Sequence, residues 1–420
     1  MLSHPIPFEK LLCLQLFLLF TFLPCNNLPA KTNSYPVQAY SDQELENIRE
    51  WEKTWTGEKI SSQNADKVRE LLPDSYYKLL KNTKKWGKSW FTIVPYQQIQ
   101  PSPGKIYATK KYRGTTKIGP DGEILNWTAG VPFPEPENGL QIAHNFRCRN
   151  FGDSAKTDEK GFIIDGLFKY DMKLRIKNNY YFFSGRTDAP PIPEVPKNDK
   201  NIWRAFSMLQ LAPAETRNMR IIEIHYQDRA KAYDSWFWRP SIRRIRRRST
   251  SERQDALGGA DFCGFDNYGW DGPIHINNYK YLGQKEFLMA RNTDKSKLKH
   301  TPGDCLWDGT QRERIKVHIV EVDNSEKHFL YSKMIWYIDP ETWQILYSDR
   351  YDNKGKLWKV LDQLGFVTTG YKGVPVDFFA GNQMIDVQRT HSTIAIADYS
   401  FGLPMNQNMF SLQFLQKHGY

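Results

Sequence analysis

The run Trp236-Phe237-Trp238-Arg239-Pro240-Ser241-Ile242-Arg243-Arg244-Ile245-Arg246-Arg247-Arg248 concentrates residue types that could hold an amphiphile. Read as one strand from Ser235 to Arg247, it sends successive side chains to opposite faces. Trp236, Trp238, Ile242, Arg244 and Arg246 then share a face with Pro240, and an aromatic end grades into a basic end. Indole and aliphatic groups would bury an apolar tail, while guanidinium groups would meet an anionic head. These five are the candidate ligand-binding residues. A second reading stays open: the arginines pair with Asp255, Asp261 and Asp266 just downstream and pin a long loop.

Signals for catalysis and for bound metal are weak. The chain has no Gly-x-Ser-x-Gly elbow and no His-Glu-x-x-His. Its histidines are scattered, so a Ser–His–Asp set could form only by assembly in space. Gly258 to Asp266 lacks the lysine and Ser/Thr of a phosphate loop, and Tyr371 stands where the glycine spacing from Gly365 would need a lysine. The acidic spots at Asp261, Asp266, Asp271, Asp349 and Asp352 lack EF-hand spacing, and turn or cap duties are expected of them. No catalytic residue, no metal and no cofactor is therefore expected.

The N-terminus has the order of a secretory signal. Lys10 precedes an apolar run from Leu11 to Leu23, too short to span a bilayer, with small and turn-forming residues after it. Residues 1–30 are read as a signal peptide cut after Ala30. Lipid anchoring at Cys25 is not expected, because Pro24 and Leu23 are poor neighbours for such a site. Removing 30 of 420 residues leaves 390, and the net charge stays +11 because Glu9 and Lys10 leave together. An exported basic protein meets anionic headgroups or acidic partners rather than nucleic acid. Cys148, Cys263 and Cys305 remain, so one disulfide at most can form, and Cys263–Cys305 is the expected pair.

These residues need a scaffold. Ser41 and Glu44 make a capping-box pattern before Leu45, Ile48 and Trp51, and a second helix is expected from Asn64, interrupted at Pro73. Residues 31–104 are thus read as a helical segment that packs on a sheet. From Lys105 onward the pattern turns to period two. Strands are expected at Ile106–Thr109, Phe162–Ile164, Tyr180–Phe183, Met219–Tyr226, Ser235–Arg247, Val317–Val322, Met334–Ile338, Ile345–Tyr351 and Leu357–Leu361. Asn353-Lys354-Gly355 is a hairpin signal. The proline-rich stretch from Asp188 to Lys200 reads as a plain surface connection or as a lid. Residues 105–420 form one β-rich domain in this reading, mainly antiparallel.

Several ordered motifs resemble one family. They are Ala129-Gly130-Val131-Pro132-Phe133-Pro134, Arg239-Pro240 through Arg248, Gly259-x-Asp261, Asp266, and Tyr281-Leu282-Gly283-Gln284-Lys285-Glu286. Tyr337-Ile338-Asp339-Pro340-Glu341-Thr342-Trp343, Tyr351-Asp352-x-x-Gly355-x-Leu357-Trp358 and Asn408-x-Phe410 follow. Together they resemble a proteobacterial family, domain of unknown function 1329, that is outer-membrane lipoprotein-sorting-protein-like. The resemblance implies a fold like the LolA and LolB lipoprotein carriers: mainly β (α+β), a large curved antiparallel sheet forming an unclosed barrel, with covering helices over an apolar cavity. It implies a periplasmic carrier for a lipid, lipoprotein or other hydrophobic amphiphile, working beside an envelope transporter or outer-membrane partner. Burial of an acyl chain would supply roughly 0.8 kcal/mol per CH₂. Two alternatives stay open: an envelope protein docking on lipopolysaccharide or a protein partner, and a hydrolase of hydrophobic substrates.

Overall fold

Strand Tyr170–Phe182 shows in one element how the sequence makes this fold. Asp171, Lys173, Arg175 and Lys177 are exposed, while Asn178, Tyr180 and Phe182 are buried and Leu174 and Ile176 half-buried. That is the period-two pattern of a sheet with one wet face and one covered face. A computed structural model describes residues 35–417 apart from 167–168, 229–230, 242, 250, 257 and 325–328. Its strands are β1 (Lys59–Ser61), β2 (Trp90–Ile93), β3 (Lys117–Ile118), β4 (Ile124–Leu125), β5 (Ser154–Ile164) and β6 (Tyr170–Phe182). There follow β7 (Ile202–Ala212), β8 (Arg220–Tyr226), β9 (Asp234–Arg239), β10 (Arg244–Arg247), β11 (Asn277–Met289) and β12 (Thr310–Asn324). The last are β13 (Lys333–Ile338), β14 (Ile345–Tyr351), β15 (Leu357–Thr369), β16 (Pro375–Asp386) and β17 (His391–Phe401).

All but β3 and β4 join one sheet, in the order β1-β2-β12-β13-β14-β15-β16-β17-β5-β6-β7-β8-β9-β10, with β11 also on β12. From β11 to β10 every neighbour pairs antiparallel, and β2 joins β12 in parallel. The sheet does not close: β10 ends the path on one side, β1 and β11 on the other. It is strongly curved. Strands β16 and β8 stand five ladder steps apart, roughly 24 Å in a flat sheet, yet Phe379 of one and Ile221 of the other line the same small cavity.

Each face has its own cover. The helices are α1 (Asp42–Trp55), α2 (Asp74–Lys81), α3 (Thr83–Trp86), α4 (Pro103–Lys111), α5 (Gly139–Arg147) and α6 (Leu412–Lys417). The expected capping box forms: Ser41 accepts from the Glu44 amide and Glu44 from the Ser41 amide. Ile48, Tyr76, Leu79 and Trp86 of α1–α3 pack with Ile315, Val317, Tyr337 and Tyr347. Those strand residues alternate with Val320, Trp336 and Ser348, whose row runs through Leu361 and Met384 to Thr393 in the cavity wall. The N-terminal helices therefore cover the convex face and do not plug the opening. On the concave face Ile142 and Phe146 of α5, with Phe265 and Trp270, fill the half of the trough beside β12–β14.

Other expectations need correction. Ile106–Thr109 is helical, inside α4, where Ser102 caps and Pro103 occupies the first turn. The expected disulfide is absent: Cys148, Cys263 and Cys305 are free and buried. The reason is geometric. Cys263 packs with the concave-face cluster and Cys305 with the convex-face cluster, so the sheet lies between them. The proline-rich stretch is a pinned connection, not a lid. The Asp153 carboxylate accepts the amides of Thr187, Asp188 and Ala189, and Arg186 donates to the carbonyls of Phe182, Ala189 and Pro191.

Candidate functional site

The part of the trough left unfilled lies over β5–β8, β16 and β17. A cavity of about 130 Å³ is walled by Ile176, Tyr180, Phe206, Met208, Ile221 and Phe379 and roofed by the segment from Gly258 to Tyr268. Its existence traces to two small side chains. Across the concave face one row reads Asn382, Ala395, Gly161, Leu174. Ala395 stands where a larger residue would fill the space, and at Gly161 a side chain would press on the Ile394 carbonyl of the adjoining strand. Burial deepens along β6 from Leu174 and Ile176 to Tyr180, so the mouth lies toward Leu174, Met219, Thr216 and Arg248. Cavities of about 150 Å³ lined by apolar side chains stay dry and take in a benzene-sized group.

Of the polar side chains that line this largely apolar space, Glu159, Asn178 and Asn382 have unmet or weakly met acceptors. Glu159 accepts a 3.4 Å hydrogen bond from Asn178 Nδ2 and has no cation within 4.0 Å among the described residues. Half-buried in the cavity wall, its carboxyl is pushed up to about 7 by desolvation, with only Asn178 opposing. The Oδ1 atoms of Asn178 and Asn382 are buried without a hydrogen-bond partner. An unmet acceptor of this kind costs about 1–3 kcal/mol, so each is a place where a guest could gain affinity.

Beneath the cavity sits a charged cluster that holds the roof to the sheet. Asp271 accepts from Arg147 at 2.5 Å, from Arg253 at 2.8 Å and from Arg204. Arg253 also reaches Glu223 at 3.3 Å and donates to the Gly264 carbonyl at 2.8 Å. Burial alone would raise the Glu223 carboxyl, but Arg253 and His225 outweigh it and hold it at about 2. Burial, aided by Arg204, lowers His225 to about 3. Glu223, His225 and Asp271 bring ligand atoms within 4.8 Å of one another, the spacing of a cation site. The donor set does not fit one, because three guanidinium groups already neutralise the two carboxylates and would repel an added cation.

The candidate residues from the sequence are not brought together at this cavity. Ser235–Arg247 is a hairpin, not one strand: β9 turns through Pro240 to Arg243 and pairs back as β10, with Trp236 opposite Arg247 and Trp238 opposite Ile245. Trp236 and Trp238 lie on the convex face with Ile222, Phe410 and Leu415. Arg244 and Arg246 are exposed, on the other face, beside Arg239 and Phe237, and have no acidic partner within 4.0 Å among the described residues. Ile242 lies outside the described residues. Two of the three acids named as partners are engaged elsewhere, Asp266 with Arg350 and Asp261 with His391, and Asp255 has no arginine within 4.0 Å among the described residues. As the sheet's terminal strand, β10 gains from exposed arginines, which block edge-to-edge pairing.

A histidine–carboxylate pair does occur. His391 Nδ1 stands 2.8 Å from Asp261, which also accepts from Thr393 Oγ1 at 2.8 Å. Among the described residues no serine or cysteine hydrogen-bonds to His391, so the pair lacks the nucleophile of a hydrolytic triad.

Comparison with known proteins gives one family. The model of a family described as "Protein of unknown function (DUF1329)" matches residues 59–416. An uncharacterized protein of Pseudomonas aeruginosa is 25% identical over 320 residues, which cover 72% of this chain and 68% of that protein. A crystal structure of a DUF1329 family protein from Desulfovibrio piger superposes with a TM-score of 0.48 at 15% identity, over 66% of this chain and 97% of that one. A putative outer membrane lipoprotein-sorting protein domain from Vibrio parahaemolyticus gives 0.47 at 16% identity, over 66% and 98%.

Proposed function

The chain belongs to the DUF1329 family of proteins of unknown function, and from that premise and the cavity we propose that it binds and carries a hydrophobic amphiphile. The observation that carries this reading is the apolar space left on the concave face of an open sheet, where the row through Ala395 and Gly161 offers only one methyl group to fill it. The cavity admits an acyl terminus or a single ring, and the rest of a longer guest would leave through the mouth beside Leu174 and Arg248. Burial of the guest is the driving force, at about 25 cal/mol per Å² of apolar surface. The reading places the protein in the periplasm. Lys10 and the apolar run to Leu23 support export, and no helix of the described residues is long and apolar enough to cross a membrane.

The test is native mass spectrometry with lipid extraction on protein purified from its host, for the natural chain and for Ala395→Phe. Ala395 is 6% exposed and its methyl faces the cavity, so a phenyl ring there takes the guest's place. The natural chain is expected to carry an apolar compound, and the variant to lose it while melting within a few degrees. Equal loading of both would show that the guest lies elsewhere.

A second reading rests on the unpaired basic edge at Arg239, Arg244 and Arg246. An envelope protein that docks on an anionic surface through this strand would carry no guest, and its binding would fall steeply with salt.

A further inference from the structure

Among the described residues, the buried side-chain polar atoms of the cavity lining that lack a hydrogen-bond partner are acceptors. Glu159 brings a carboxyl, and Asn178 and Asn382 bring unpartnered Oδ1 atoms. Asn178 is 5% exposed, and its Nδ2 is already committed to Glu159. The cation among the lining residues is Arg248, at the mouth, where it donates to the Glu252 carbonyl at 3.0 Å. We propose that the cavity selects an apolar ligand carrying a hydrogen-bond donor, a hydroxyl or an amide N–H, and rejects an anionic one. The proposal rests on the carrier reading and names the class of guest within it.

The selection follows from desolvation. A hydroxyl entering this space gives its proton to an oxygen that otherwise has none, so the cost of stripping water from both groups is recovered. A hydrocarbon gains only burial and leaves the amide oxygens unmet. A carboxylate or phosphate would bring a second anion to Glu159 in a low-dielectric space, and the guanidinium groups beneath the cavity are already engaged with Asp271 and Glu223. The arginine-rich hairpin could meet an anionic head only outside this cavity.

Three probes of one shape separate the cases: p-cresol with a hydroxyl, toluene with no polar group, and p-toluate with a carboxylate. Each is titrated into the full-length protein carrying ¹³C-methyl methionine, with Met208 and Met219 reporting from the wall. The expected result at pH 7.5 is binding of p-cresol at least tenfold tighter than toluene, with no shift of either methyl by p-toluate. Glu159→Leu and Asn178→Leu are each expected to bring p-cresol down to the toluene level while toluene binding persists, which shows that the variants remain folded. Toluene binding as tightly as p-cresol, or p-toluate binding most tightly, would overturn the donor-selecting cavity and leave the carrier reading standing. Failure of all three probes to move either methyl would overturn the carrier reading itself, and this inference with it.

Discussion

Asp271→Asn is expected to lose about 3–5 kcal/mol of folding stability, the range seen when one partner of a buried ion pair is removed. Asp271 holds Arg147, Arg204 and Arg253, and Arg204 and Arg253 are almost wholly shielded from water. Asparagine keeps the shape and one acceptor oxygen but removes the charge. Three guanidinium groups would then share Glu223 alone, and a guanidinium cannot shed its proton to escape. Raising the pH therefore should not rescue the variant. Arg247→Ala is the matching control: its pair with Asp234 is at the surface, with the arginine 69% exposed, where such pairs are worth about 0–1 kcal/mol. Urea unfolding of both variants at pH 7 and pH 9 checks the claim. A loss under 1 kcal/mol for Asp271→Asn would mean that the roof segment is held by its apolar contacts alone.

Local signals were the ones legible in the sequence. The Ser41 capping box lies within four residues, and the alternation in β6, β12, β13 and β14 needs no knowledge of partners. The hairpin at β9–β10 had a readable sign that the single-strand reading passed over: Pro240 cannot donate to a ladder and belongs at a turn or an edge. Arg243, at φ 47°, then takes the left-handed turn position. The cavity had no such local sign. Glu159 sits in Thr157-Asp158-Glu159-Lys160, which reads as an exposed charged stretch. Only the pairing of β5 with β17 puts Gly161 beside Ala395 and so makes room around it. The family motifs were legible as pattern, but several of their residues turn out to serve the scaffold. Asp266 pairs with Arg350, while Asp339 and Glu341, with Glu313, surround Arg291. These motif acids hold arginines in place, and most of the cavity wall is made by residues outside the motifs.

Stability should fall by about 3 kcal/mol between pH 4.5 and pH 7 through Glu159 alone. Its carboxyl is raised from 4.5 to about 7, and each tenfold change in acidity is worth about 1.4 kcal/mol. Folded protein keeps the proton over this window while the unfolded chain has released it. The folded state is therefore favoured fully below pH 4.5, loses that advantage as pH rises, and levels off above 7. Glu159→Gln removes the titration. Relative to the natural chain the variant should be about equal in stability at pH 4.5 and about 3 kcal/mol more stable at pH 8. Taking the difference between the two proteins cancels other groups, such as Asp349, raised to about 6 by burial despite its hydrogen bond from Ser75. Urea unfolding at four pH values gives the curve, and a flat difference would mean that water reaches the carboxyl freely. A persistent cost of this size is what a binding site would retain and a plain core would not. An acid kept near 7 in an apolar space lowers stability at neutral pH, and a ligand hydroxyl donating to it would return part of that loss only when the guest is in place.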